Sequence, residues 1–167
     1  MALRSLTAAD LPVVERWFCD PDTRRWLGDE AWPRRLLALA GRSQGRFAFV
    51  AVLGGDVVGL ADVERYGDDR AAVAVVVAPE HRRRGMGKAI LRGLLDVPQL
   101  EGVVELFGGV EVGNAASAAL VTSSGFEQVS ERPDDEGFTY FAQRRTGSTL
   151  GPAATRRSAG RRFERPE

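Results

Sequence analysis

The stretch "VVVAPEHRRRGMGKAIL", Val75 to Leu91, decides how this chain folds. A β-branched run stops at Pro79, three arginines follow, and Gly85-Met86-Gly87 comes next. Beyond it Ile90, Leu91, Leu94 and Leu95 repeat at helical spacing. A strand, a loop and a helix in that order present consecutive backbone N–H groups at an electropositive helix N-terminus. Arg82, Arg83, Arg84 and Lys88 add charge, and the two glycines let an anion come close. The reading is a pyrophosphate site. Two common phosphate loops do not fit it. A triphosphate P-loop needs Ser or Thr after its lysine and glycine five residues before the Gly-Lys pair, where Ala89 and Arg82 stand here. A dinucleotide fingerprint needs a third glycine where Ile90 stands.

The pattern extends outward on both sides. "AAVAVVVA", 71 to 78, is almost continuously apolar, which predicts a strand buried on both faces. "RFAFVAVLGGDVVGLADVERY", 46 to 66, reads as two strands around a Gly54-Gly55-Asp56 turn. Ahead of these, Leu3 to Leu6 is a short apolar stretch. Thr7 or Asp10 then caps a helix that carries Leu11, Val14, Trp17 and Phe18 at helical spacing. Residues 20 to 41 form a second helical region, broken by Gly28 and Pro33. Downstream, Val103 to Val112 is a strand interrupted at Gly108 and Gly109. "NAASAALVTSSGF" is a helix ending at Gly125, and "FTYFAQ" is the last strand. The order β-α-α-β-β-β-α-β-α-β predicts an α/β fold, a mixed sheet with helices in a single domain. The domain is expected over 1–143. From 144 to 167 a basic, arginine-rich composition predicts a solvated tail.

Composition sets further bounds. With 167 residues, 44% apolar and 28% charged, the chain is long enough for one packed domain. Twenty-three basic residues balance twenty-three acidic ones, so a uniformly basic nucleic-acid binder is disfavoured. A single cysteine, Cys19, and a single histidine, His81, leave no disulfide framework and no cysteine or histidine metal cluster, so no metal is expected. Cys19 is expected to be a small buried hydrophobe. No apolar run reaches membrane-span length and no signal-peptide core is present, so a cytoplasmic protein with no membrane contact is expected.

"VAPEHRRRGMGKAIL" resembles the V-x-P-x-x-R/Q-x-x-G-x-G/A signature of the GNAT family of N-acetyltransferases, through Val77, Pro79, Arg82, Gly85 and Gly87. "NAASAALVTSSGF" resembles a second element of that family through Asn114, Ser117, Leu120, Gly125 and Phe126. The resemblance implies the GNAT fold from Leu3 to about Gln143, a single-domain mixed, mostly antiparallel β-sheet flanked by helices. It implies acetyl-CoA as acetyl donor, an amine acceptor on a small molecule or a protein, direct attack in a ternary complex, and a homodimer as assembly. It also implies that the backbone of Val75, Val76 and Val77 pairs with the pantetheine arm. The N–H groups of Arg83, Arg84, Gly85, Met86, Gly87 and Lys88 would cradle the pyrophosphate, with Arg82 beside them. Asn114 would reach the pantetheine region with Ser117 near it, and Asn114 also reads as a helix N-cap.

Amine acetylation asks for a base, an oxyanion donor and an acid for the leaving thiolate. An alkyl amine with pKa near 10 is only about 0.1% neutral at pH 7. The positions where the family places these groups are occupied here by Val121 instead of tyrosine, and by Gly109 and Ala71 instead of glutamate. Glu64, Glu111 and Tyr140 are the remaining catalytic candidates. These departures also admit a second reading, an acetyl-CoA-binding module with little catalysis that acts as a sensor or partner-binding protein. Trp17, Trp26 and Trp32 lie where the acceptor pocket is expected, with Asp20, Asp22, Asp29 and Glu30 suited to a cationic amine and the tryptophans suited to core.

Overall fold

A computed structural model describes residues 1–67 and 69–145. The expected basic tail lies outside the described residues from 146 on. The elements are β1 (Ala2–Ser5), α1 (Leu11–Arg16), α2 (Pro21–Leu27), α3 (Trp32–Ala40), β2 (Arg46–Leu53), β3 (Asp56–Tyr66), β4 (Arg70–Val77), α4 (Met86–Leu94), β5 (Glu105–Glu111), α5 (Ala115–Ser123), β6 (Glu127–Gln128) and β7 (Phe138–Arg144). They build a seven-stranded sheet in the order β1-β2-β3-β4-β5-β7-β6. Every pairing is antiparallel except β4 with β5. The expected class, a mixed and mostly antiparallel sheet flanked by helices, is the observed one.

Several local expectations change. The second helical region is two helices. Gly28, at φ +96°, ends α2, whereas Pro33 lies in the first turn of α3, where its missing N–H costs nothing. Gly108 and Gly109 do not interrupt β5. The short strand β6 carries no apolar run and depends on its pairing with β7. Thr7 and Asp10 form a capping pair, the Thr7 N–H donating to Asp10 Oδ2 at 2.9 Å. Arg4 grips the same carboxylate at 2.7 and 2.8 Å, and this holds Asp10 well below the usual carboxylate range.

The core lies in two layers, one on each side of the sheet. Ile90, Leu91 and Leu94 of α4 pack with Phe49, Ala61, Val63 and Leu106 on one side. Val14, Trp17, Phe18, Trp32 and Leu36 pack with Val50, Leu60 and Val76 on the other. Trp17 and Trp32 are therefore core. Cys19 is exposed, against expectation, because Trp17 and Phe18 before it take the inward positions of that turn.

The limited pairing of β4 with β5 shapes the site. β4 and β5 pair only at Arg70↔Glu105, Ala71↔Leu106 and Ala72↔Phe107. Beyond Ala72 the two strands part and leave a wedge. Ala71, Ala72 and Val76 are buried as expected, but Val73, Ala74, Val75 and Val77 are half-buried, since the wedge opens one edge of the strand.

Candidate active site

The wedge begins at Gly108. A β-carbon there would stand 2.8 Å from the Val73 carbonyl oxygen, so this carbonyl points at β5 across a gap that only glycine permits. Backbone orientation repeats every second residue along a strand. Val75 and Val77 therefore turn the same edge toward the gap, after β5 has left. A row of N–H and C=O groups without a strand partner is a template for one more extended chain.

At the end of β4 the chain makes the arginine-glycine loop. Arg83 has φ +58° and Gly85 φ +77°, two left-handed residues that fold the loop onto the start of α4. Among the described residues, no backbone carbonyl accepts an N–H from Arg83 through Lys88. These are the donors a helix start leaves free, and the exposed side chains of Arg83, Arg84 and Lys88 surround them. Gly87 also has a packing role. Its β-carbon would meet Leu120 Cδ2 at 2.9 Å, so its small size serves the packing of α4 on α5.

Arg82 also departs from a simple phosphate contact. Its guanidinium donates to Asp20 Oδ2 at 2.8 Å and to the Thr23 hydroxyl, at the start of α2. Asp20 caps α2 by accepting the Thr23 N–H at 2.9 Å. Burial pushes the Asp20 carboxyl up, but the Thr23 N–H and the Arg82 guanidinium outweigh it and leave it below its ordinary value. At the other end of α2, Trp26 lies 3.8 Å from where a β-carbon of Gly113 would stand, in the turn after β5. The helix thus runs from the exit of β4 to the exit of β5, across the mouth of the wedge. Of the carboxylates expected to suit an amine, Asp20 is taken by Arg82, and Asp29 by Arg35 at 3.0 Å.

Asn114 caps α5, its Oδ1 accepting the Ser117 N–H at 3.0 Å. This places both residues just past β5, on the opposite bank of the wedge from the arginine loop. Val121 follows Leu120 on α5 and is half-buried against the α4 core.

Strand register gathers the three catalytic candidates on one face. Glu64 stands opposite Ala72, and Ala72 opposite Phe107. Gly109 stands opposite Tyr140, and Glu111 opposite Phe138. Alternation puts Glu64, Phe107, Gly109, Glu111 and Tyr140 on the sheet face that also carries Asp62. Glu64 lies 3.5 Å from Arg46. The Tyr140 hydroxyl donates to Asp134 Oδ2 at 2.8 Å. A β-carbon on Gly109 would approach Phe138 at 3.1 Å and Tyr140 at 3.3 Å, so two rings fill the space where the family places a glutamate.

The sequence reading missed three pairings: Arg82 with Asp20, Tyr140 with Asp134, and Arg46 with Asp62. The last is fully buried, with Arg46 reaching both Asp62 oxygens at 3.1 and 2.6 Å. Burial pushes the Asp62 carboxyl up against the pull of Arg46. The alternation of "ADVERY" put Asp62 beside Glu64 on one face, but it carried no signal for a partner on another strand.

A family model described as the acetyltransferase (GNAT) family matches residues 11–126. The uncharacterised N-acetyltransferase YfmK of Bacillus subtilis is 29% identical over 129 residues, covering 77% of this chain and 86% of that protein. The N-alpha-acetyltransferase RimI of Mycobacterium tuberculosis is 32% identical over 115 residues, covering 66% of this chain and 71% of that one. Among solved structures, an aminoglycoside acetyltransferase AAC(6')-Ib in complex with coenzyme A superposes with a TM-score of 0.73 at 17% identity, covering 86% of this chain and 94% of that one. This last likeness is one of fold.

Proposed function

The chain belongs to the acetyltransferase (GNAT) family and is an N-acetyltransferase with acetyl-CoA as donor, and from that premise we propose that its acceptor is a peptide α-amino group. The observation that carries the proposal is Gly109 under the rings of Phe138 and Tyr140. The customary carboxylate is missing and its space is filled. Ala71 and Val121 leave the other customary positions without acid or base. A site so poor in bases suits an acceptor with a larger neutral fraction at neutral pH. An α-amine of pKa about 8 is roughly one-tenth neutral at pH 7, against about 0.1% for an alkyl amine of pKa near 10. The relative named as an N-alpha-acetyltransferase supports the same class.

In this proposal the N–H groups of Arg83 through Lys88 hold the pyrophosphate and the exposed edge of Val75 to Val77 holds the pantetheine arm. Asn114 and Ser117 line the opposite bank. The amine enters over the face that carries Glu64, Glu111 and Tyr140 and attacks directly in the ternary complex. Glu64 or Glu111 takes the remaining proton, directly or through water. A thiolate of pKa about 8.5 leaves without an obligatory acid, and the Tyr140 phenol stands on the same face to protonate it. Cytoplasmic residence and homodimer formation belong to the same proposal, and light scattering in solution tests the second.

The test offers acetyl-CoA with three probes: a lysine-free peptide with a free N-terminus, an N-blocked peptide with one lysine, and spermidine. The expected result is acetylation of the first, located by mass spectrometry, at a kcat/KM at least about tenfold above the others. A lysine or polyamine acetylated faster than the free N-terminus overturns the proposal.

A further inference from the structure

The signature arginine, Arg82, spends its charge away from the phosphate loop. Its guanidinium is bound to Asp20 at 2.8 Å and to the Thr23 hydroxyl, and Thr23 is itself buried. Asp20 caps α2 and Thr23 lies in its first turn, and Trp26 at the other end reaches the Gly113 turn. A helix of seven residues has little stability of its own. Its position over the wedge depends on what ties its two ends.

We propose that Arg82 is a positioning residue for the acceptor site: through Asp20 and Thr23 it ties α2 across the mouth of the β4–β5 wedge, linking the cofactor loop to the element that roofs the acceptor side. The inference rests on the reading that the acceptor enters on the α2 side. The pyrophosphate is left to the backbone N–H groups and to Arg83, Arg84 and Lys88.

The test uses R82Q, D20N and the double variant in the full chain. Asparagine keeps the cap on the Thr23 N–H, so D20N removes the ion pair and spares the helix start. Hydrogen exchange of the amides in 21–27 and calorimetric titration with coenzyme A are the readouts, and neither needs an acceptor. The expected result is that both single variants raise α2 exchange by about tenfold and the double variant by no more than either one. Both should keep their coenzyme A affinity within about twofold. If the free-N-terminus peptide is a substrate, its KM rises in both variants while the KM for acetyl-CoA stays. The alternative, Arg82 as a phosphate ligand, gives opposite signs: R82Q loses coenzyme A affinity and D20N, by releasing the arginine, gains it. That outcome overturns the proposal, and so does unchanged α2 exchange in R82Q. Failure of the peptide probe alone leaves these readouts standing and counts only against the proposed acceptor.

Discussion

Replacing Gly108 by alanine tests the wedge directly. The new methyl carbon would stand 2.8 Å from the Val73 carbonyl oxygen, where ordinary contact begins at 3.4 Å. The obstacle is backbone, held on its far edge by β3, so it cannot swing aside as a side chain would. β5 must move outward by several tenths of an ångström at the point where the strands begin to part. Overpacking of this kind costs about 1–3 kcal/mol. The loss of glycine's freedom in the unfolded chain returns about 0.4–1 kcal/mol, since Gly108 has no left-handed φ to forbid alanine. The net loss is up to about 2.6 kcal/mol, and at about 2–4 °C per kcal/mol for a domain this size Tm falls by up to roughly 10 °C. The stabilisation by coenzyme A should shrink as well, because the seat of the pantetheine arm is deformed. Gly41→Ala is the control. Its nearest neighbour would be Leu37 O at an ordinary 3.5 Å, so it should gain about 0.4–1 kcal/mol. Thermal unfolding with and without coenzyme A measures both. A G108A protein that melts at or above the wild-type temperature, with unchanged coenzyme A stabilisation, refutes the close approach of Val73 to β5.

Three further perturbations follow from the same geometry. R46M leaves Asp62 fully buried and without its arginine, a loss of about 3–5 kcal/mol. D62N costs less because Arg46 keeps Glu64 at 3.5 Å, and denaturant melts showing the reverse order contradict the pairing. Asp10 is held far below its unfolded value of about 3.9, first by Arg4. Its contribution is therefore complete above about pH 5 and is lost progressively as pH falls toward the folded-state value. The stability gap between wild type and D10N should begin to narrow below about pH 5 and still be narrowing at about pH 2.5, and a constant gap rules this out. G85A forces alanine to φ +77° and costs about 1–2 kcal/mol. It should also weaken coenzyme A binding, and full coenzyme A affinity in a destabilised G85A protein separates the loop from the ligand.

The order of strands and helices was legible because its signals are local. The β-branched run into Pro79, the Gly54-Gly55 turn and the helical spacing after Gly87 each act within a few residues, and each forms the expected element. The same holds for Asn114, whose capping role needs only the N–H three residues on. The second helical region and β6 were less legible, since Pro33 breaks or starts a helix depending on its neighbours and β6 has only β7 to support it. The site itself was decided by the tertiary structure. Whether β4 and β5 stay paired depends on strands joined by a helical crossover, and they part after Ala72. Arg82 meets Thr23 across 59 positions, and Arg46 meets Asp62 across 16. Glycine composition did not reveal that Gly87 makes room for Leu120 or that rings cover Gly109. Periodicity records the face a residue turns toward the core. Which charge meets which, and where a sheet opens, depends on the packing of segments far apart in the chain, and no local pattern encodes that.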